Sequence, residues 1–187
     1  MAASKNPRVE LHGKKIFLRP PAETDFRDYL ALMRSSRRAH RQFGANLPTR
    51  KRFTEFFVNS WQGGEARGFL ICRKPDGAIA GSIGIFNIVR RNAQSAFTGY
   101  SIGAPYLRQG YATEALQLVL RFAFKKMKLH RIEACIQPRN VPSRALVRRA
   151  GFTREGLSRR QLKMGGRWRD HERWALLAED WRPLRRN

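Results

Sequence analysis

Acid is scarce in this 187-residue chain: 14 Asp and Glu stand against 38 Lys and Arg, a formal net charge of +24. Cysteine is scarce too. Cys72 and Cys135 alone are too few for a disulfide framework or a cysteine-rich zinc site. No apolar run approaches the ~20 residues of a membrane-spanning helix, since the stretch from Leu116 to Leu120 contains a Gln and stops at Arg121. The opening MAASKNPRVELHGKK lacks the apolar segment of a signal peptide. Neither the phosphate loop G-x-x-x-x-G-K-[ST] nor the dinucleotide fingerprint G-x-G-x-x-G occurs, and His12 and His40 fit no metal-ligand spacing. No internal repeat or linker divides the chain. These absences lead to an expectation of one soluble, cytoplasmic domain spanning 1–187, without metal or membrane, with short flexible ends at about 1–8 and 184–187.

What is present is a core and a one-sided charge. Hydrophobic residues make up 42 % of the chain, too much for a disordered basic tail. Net charge is +8 over residues 1–60, +3 over 61–105 and +13 over 106–187. Residues 139–169 hold ten Arg and Lys against one acid, Glu155. Such a run is either a solvated face or a surface for a polyanion such as nucleic acid, a ribosome or a phosphate-rich cofactor.

Periodicity predicts alternating strands and helices. Ile16 to Pro20 reads as a strand closed by Pro20-Pro21. Glu23 to Met33 has helical spacing in Phe26, Tyr29, Leu30 and Met33, with Thr24 as a candidate cap. Residues 34–52 read as irregular, and a second helix is expected over about Arg52–Trp61. Gly68 to Lys74, the Pro75-Asp76-Gly77 turn and Ala78 to Ile88 form a hairpin signal. Ala96–Gly103 is a further strand, followed by a long helix from about Gln109. Arg131–Gln137 then reads as a strand and Pro142–Ala150 as a helix stopped by Gly151. A last hairpin runs from Thr153 to Lys163 and from Trp168 to Leu177 around Gly165-Gly166. This is a mixed α/β sheet with helices on its faces.

The strand ending at Gly103, the glycine turn and the helix after it make an anion-binding device. Unpaired N–H groups of a first helical turn point outward, where the helix dipole favours negative charge. The order Arg108-Gln109-Gly110-Tyr111-Ala112 sets small residues at 110 and 112, where a pyrophosphate could approach the backbone. An ordinary strand-to-helix turn would use its glycine in the same way.

These residues resemble the GNAT superfamily of acetyl-CoA-dependent N-acetyltransferases, whose Gln/Arg-x-x-Gly-x-Gly/Ala signature corresponds to Leu107 through Ala112. Gly110 and Ala112 match; the opening Gln/Arg is replaced by Leu107. Downstream, Asn140-x-x-Ser143 and Ala150-Gly151-Phe152 are similar to the RimJ/RimL branch, which modifies ribosomal-protein N-termini. Gly99-Tyr100-Ser101-Ile102-Gly103, His130-Arg131-Ile132 and Gly166-x-Trp168-Arg169-Asp170-His171 look like the alanine-specific members of that branch. The resemblance covers about Val9 to Pro183. It implies a GNAT-like, mostly antiparallel sheet splayed between its fourth and fifth strands, here Ala96–Gly103 and Arg131–Gln137, with the pantetheine arm in the gap. The implied contacts to acetyl-CoA are Ser101, Ile102, Gly103, Arg108, Gln109, Gly110, Tyr111, Ala112, Thr113, Asn140 and Ser143.

The implied reaction moves acetyl to the α-amine of a ribosomal protein, with alanine as its first residue, by direct attack in a ternary complex. An α-amine, with pKa about 7.7–8.0, is partly neutral at pH 7 and needs only a weak base, whereas a lysine amine near 10.4 needs far more help. The glutamate base and tyrosine acid common in related enzymes fall here on Cys135 and Val147. Ser143 inherits the role beside the sulfur. Strand alternation sets Glu133 on the face of Cys135, about 7 Å along, as the base candidate, acting directly or through water. Either could instead be structural: Ser143 as a cap, Glu133 as a carboxylate paired with arginine. Asn140 is either a pantetheine ligand or a cap. Glu114 suits the helix dipole without a catalytic role. Asp170 and His171 point to opposite faces of a strand. Cys135 has nothing beside it to lower a thiol pKa. Arg37, Arg38 and Arg41 with Phe43, Phe53, Phe57 and Trp61 would wall an acceptor pocket or serve as packing. Ribosomal RNA contact through the basic surface and a monomer or homodimer are further expectations. Competing readings are a GNAT acting on a small amine or a lysine, and a non-catalytic acetyl-CoA-binding ribosome assembly factor.

Overall fold

The computed structural model describes residues 10–41, 43 and 47–183, so the expected flexible ends fall outside the described residues. The elements are β1 (Leu11–His12), β2 (Ile16–Arg19), α1 (Phe26–Ser35), α2 (Arg37–Arg41), α3 (Arg50–Phe53), β3 (Arg67–Arg73), β4 (Ile79–Val89), β5 (Ser95–Ile102), α4 (Tyr111–Arg121), β6 (Arg131–Ile136), α5 (Val141–Arg149), β7 (Thr153–Met164) and β8 (Arg167–Leu177). They build one eight-stranded sheet in the order β1-β2-β3-β4-β5-β6-β8-β7. Every neighbouring pair is antiparallel except β5 and β6.

Both faces are covered. The apolar run of β3 is buried through its middle because each face meets helix. On one face Phe69, Ile71, Ile83 and Ile132 pack with Leu116, Val119 and Leu120 of α4 and Leu146 and Val147 of α5. On the other, Leu70 and Cys72 pack with Tyr29 and Met33 of α1 and with Phe53 of α3. The Tyr29 hydroxyl hydrogen-bonds Ser82 Oγ at 2.9 Å, tying α1 to β4.

Several local expectations are corrected. Thr24 does not cap α1: a short 3₁₀ turn precedes the helix, and Asp25 accepts from Ala22 N at 2.7 Å while holding Arg19 through both its oxygens. The 34–52 stretch contains α2, whose turn is closed by Ser36; its hydroxyl bonds Leu32 O and accepts from Ala104 N at 2.7 Å. The second helix starts at Arg50, capped by Thr49, and continues as a π turn (Thr54–Val58) and a 3₁₀ turn to Trp61. The long helix begins at Tyr111, because Gly110 at φ +84° is not helical. Its end at Arg121 passes into a π turn over Phe122–Lys126.

The helix α5 is fixed at both ends. Asn140 Oδ1 accepts from Ser143 N at 3.2 Å. At the other end, Phe152 N bonds Val147 O and Gly151 N bonds Arg148 O, with Gly151 at φ +97°, a Schellman stop. Glu172 on β8, only 5 % exposed, lies 3.0 Å from Arg144 Nε of α5 and 3.2 Å from Arg154 Nε of β7, and accepts from Trp174 Nε1 at 3.1 Å. One buried carboxylate thus joins α5 to the last hairpin. Glu172→Gln leaves two guanidinium groups without their counter-charge. The expected loss is about 2–3 kcal/mol, below the figure for fully buried pairs because both arginines keep some solvent. Thermal unfolding should show a midpoint lower by roughly 4–12 °C; an unchanged midpoint would remove Glu172 from the account.

Candidate active site

The first component is the turn into α4. Leu107 is extended, Arg108 sits at φ +61° and Gly110 at φ +84°. The first helical bond runs from Glu114 N to Gly110 O, so the amides of Tyr111, Ala112 and Thr113 precede the ladder. A Cβ on Gly110 would meet nothing within 4 Å. Glycine there answers to backbone conformation, and the space beside it is open. Leu107, where the family has Gln or Arg, is 44 % exposed. The β1–β2 turn steadies this end: Glu114 accepts from the backbone N–H of Lys15 at 2.9 Å and from that of Lys14, and Lys15 Nζ donates to Gln109 O at 3.2 Å. Glu114 therefore anchors the turn to α4. The Gln109 side chain donates to Pro105 O at 2.9 Å. With Arg108 exposed beside them, the free amides face a positive field suited to a pyrophosphate.

The second component is a gap in the sheet. β5 and β6 pair at only three positions, Ser95↔Arg131, Ala96↔Ile132 and Phe97↔Glu133. Beyond Phe97 the strands diverge, which is the expected splay; counting the two-residue β1, it falls between β5 and β6. Gly103 N bonds Ala80 O at 2.8 Å, and the β4–β5 register continues back through Ser101↔Ser82 and Gly99↔Gly84. Backbone direction alternates along a strand, so beyond the last pair the amides and carbonyls of Tyr100 and Ile102 turn to the gap. They offer an extended chain the edge of a sheet. Gly103 lends its amide to β4 and supplies the close turn: a Cβ there would lie 2.3 Å from Leu32 Cδ1.

The gap is bridged at its mouth by Tyr100, whose hydroxyl donates to Ser143 O at 3.4 Å. Burial pushes the Tyr100 phenol up to about 12, so it stays protonated at neutral pH and acts as a donor. Sequence reasoning passed over Tyr100; the signal was a strand residue in phase with Thr98 and Ile102 and therefore aimed toward α5. Asn140 and Ser143 come together at the start of α5, with Asn140 acting as the cap. Glu133 sits at the last paired position of the gap, on the face of Cys135 as expected, and its Oε1 is held by Arg131 Nε at 3.1 Å. Arg131 is also bound by Glu155. Burial pushes the Cys135 thiol up, and Gln161 donates to its sulfur at 3.4 Å, so it is no thiolate. Asp170 is exposed and accepts from Arg160 N, whereas His171 is buried, its ring nitrogen against Arg169 O and its pKa lowered by burial. They form no dyad.

The third component is a cavity of about 350 Å³ on the α1–α3 face, lined among the described residues by Tyr29, Met33, Arg37, His40, Leu47, Pro48, Arg52, Phe53, Phe57, Phe86 and Ser101. Arg37, Phe53 and Phe57 were expected there. Arg38 and Arg41 do not line it. Trp61 belongs to the opposite face, packed edge-on against Phe69 with its Nε1 donating to Gly68 O at 2.7 Å. Phe43 offers its carbonyl to Gln137 Nε2 at 2.8 Å. His40 was missed because α2 has no apolar period. Its Nε2 lies 2.9 Å from Ile102 O, and since a carbonyl only accepts, that nitrogen carries the proton. Ser101 and Ile102 thus join the cavity to the gap.

A cradle, a splayed pair and a cavity across the sheet define an acyl-transferring enzyme fold, and comparison gives the family. Residues 15–153 match the acetyltransferase (GNAT) domain model. The chain belongs to the GNAT family and is an N-acetyltransferase of it, a family that uses acetyl-CoA. It is 36 % identical over 178 residues to the Bacillus subtilis protein named probable N-acetyltransferase YjcK, covering 91 % of this chain and 98 % of that one. It is 37 % identical over 107 residues to the Escherichia coli [ribosomal protein uS5]-alanine N-acetyltransferase, covering 57 % of this chain and 55 % of that enzyme. The solved structure of Mycobacterium smegmatis RimJ in complex with CoA-disulfide superimposes with a TM-score of 0.72 at 30 % identity, over 88 % of this chain and 82 % of that one. Among the described residues no cluster of three or more His, Cys, Asp or Glu could hold a metal ion, and no helix is long and apolar enough to cross a membrane.

The open space at Gly110 yields a direct expectation. Gly110→Val places a branched side chain at positive φ, at a cost of about 1–2 kcal/mol, and fills the approach to the amides. The Michaelis constant for acetyl-CoA should rise at least tenfold while the unfolding midpoint falls by only a few degrees. An unaltered constant would mean that the phosphates bind elsewhere.

Proposed function

We propose that this enzyme transfers acetyl from acetyl-CoA to the N-terminal α-amine of a ribosomal protein, with alanine as the acceptor residue, by direct attack in a ternary complex. The observation that carries the reading is the continuity of cradle, gap and cavity: a helix start open to phosphates leads along the free edge of β5 to a pocket on the opposite face. The ribosomal part rests on the relatives that bear that name.

Ser101, Ile102 and Gly103 with Arg108 through Thr113 would hold the cosubstrate, the α4 amides taking the pyrophosphate and the free β5 edge taking the pantetheine amides. Asn140 would serve the same arm from the α5 side. The amine attacks the thioester carbonyl carbon; the new C–N bond forms, the C–S bond breaks, and the sulfur leaves as thiolate. The proton lost by nitrogen passes to Glu133 through water, its Arg131 partner setting the carboxylate's direction. Ser143 donates its hydroxyl hydrogen bond to the thiolate and passes it a proton while taking one from water, so the serine is regenerated; the Tyr100 phenol holds the Ser143 carbonyl at the gap. Basic residues of α5 and β7, including Arg148, Arg159 and Lys163, stay exposed and would dock the enzyme on ribosomal RNA.

The test is incubation with acetyl-CoA and isolated small-subunit proteins, reading intact masses and N-terminal peptides. One protein gaining a single acetyl group at an alanine α-amine is expected. Ser143→Ala should lower turnover by about 10²-fold with little change in acetyl-CoA binding. On intact subunits the rate should fall as salt rises. Acetyl-CoA binding with no acetylated protein would contradict the assignment.

A further inference from the structure

The cavity has a charge of one sign. Its walls are apolar and aromatic, and its hydroxyls are engaged: Tyr29 Oη bonds Ser82 Oγ, and Ser101 Oγ faces Met33 Sδ at 3.9 Å. The polar side-chain groups left to meet a ligand are the guanidinium groups of Arg37 and Arg52 and, with Nε2 given to Ile102 O, the Nδ1 of His40. No Asp or Glu is among the described lining residues. Neither guanidinium makes a hydrogen bond or ion pair with a described residue. Neighbouring cations do find acids: Arg50 lies 3.8 Å from Glu23, and Lys51 lies 4.0 Å from Glu55. The carboxylates of this region are thus paired outside the lining, and Arg37 and Arg52 line the cavity with no acid beside them among the described lining residues.

Building on the acceptor assignment above, we infer that the acceptor carries a carboxylate close to its amine, supplied by an acidic side chain at the second or third residue of the N-terminal segment. Two consequences of the lining converge on this. A protonated amine entering a half-apolar cavity beside two guanidinium groups is disfavoured by desolvation and by like charge, so the amine binds neutral, ready to attack. A carboxylate on the same acceptor is drawn in, because a guanidinium binds it through paired, charge-assisted hydrogen bonds. The pocket then selects against polyamines and lysine-rich N-termini while doing part of the work of a base. At about 350 Å³, it lies at the lower end of the roughly 300–1,000 Å³ range of small-ligand sites, a size suited to the first residues of a chain.

The test uses C-terminally amidated hexapeptides beginning Ala-Glu, Ala-Gln and Ala-Lys and otherwise identical, with phenylalanine and phenylalaninamide as a second pair and spermidine as a cation. Steady-state rates are measured at fixed acetyl-CoA for the wild type and for Arg37→Glu/Arg52→Glu, both exposed positions. The Ala-Glu peptide should exceed Ala-Gln at least tenfold in kcat/KM and Ala-Lys by more. The double variant should invert the order while keeping its KM for acetyl-CoA. Equal rates on all three peptides would overturn this inference and leave N-terminal acetyl transfer standing. Phenylalanine preferred to its amide, with no peptide acetylated, would overturn the N-terminal reading and assign the arginines to the α-carboxylate of a free amino acid. Spermidine as the best acceptor would overturn both.

Discussion

Everything in this molecule depends on a parallel strand pair that stops after three residues. β5 and β6 meet from Ser95↔Arg131 to Phe97↔Glu133 and then part, leaving backbone donors and acceptors of Tyr100 and Ile102 unpaired by any strand. A buried amide without a partner is costly, so such an edge persists only where something fills or wets it. Here the gap is held open from both sides. α5 is capped by Asn140, stopped by Gly151 and tied to β7 and β8 through Glu172. On the β5 side, Tyr100 reaches Ser143 and His40 donates to Ile102 O. The opening is therefore a built feature, with the phosphate cradle at one end and the cavity on one face.

The scarcity of acid takes on meaning within that frame. Most described carboxylates are occupied with structure, among them Asp25 with Arg19, Glu23 with Arg50, Asp76 with Arg73, Glu114 with the β1–β2 turn, Glu133 and Glu155 with Arg131, Asp170 with Arg160 N, Glu172 with Arg144 and Arg154, and Glu179 with His130. Few remain to neutralise the mouth of the cradle or the cavity. A positive field at both is the consequence, attracting an anionic cosubstrate by long-range steering as well as by contact.

Much of this was legible in the residues. Alternation and turn chemistry gave the strands from Ile16 onward, because glycine and proline punctuate them and their apolar residues face two distinct cores. Gly110 and Asn140-x-x-Ser143 marked the two halves of the site, since backbone geometry demands those residue types. Legibility failed where tertiary contact overrides local pattern. α2 lacks an apolar stripe and is closed by Ser36, so His40 gave no signal. Trp61 has helical phase with Phe53 and Phe57, yet the π turn between them swings it to the opposite face. Two-residue β1 is too short to alternate at all. The partner of Glu133 was foreseeable as an arginine, but its identity as Arg131, two residues away on the same strand face, needed the sheet.

The most direct measurement is amide hydrogen exchange with and without acetyl-CoA, resolved to single residues. The account predicts slowed exchange at Tyr100 and Ile102 and at Tyr111, Ala112 and Thr113, with Gly99 and Gly103 unchanged because β4 already holds them. Protection confined to other segments, or none at these five amides on saturation, would contradict the claim that the gap and the α4 turn hold the cosubstrate.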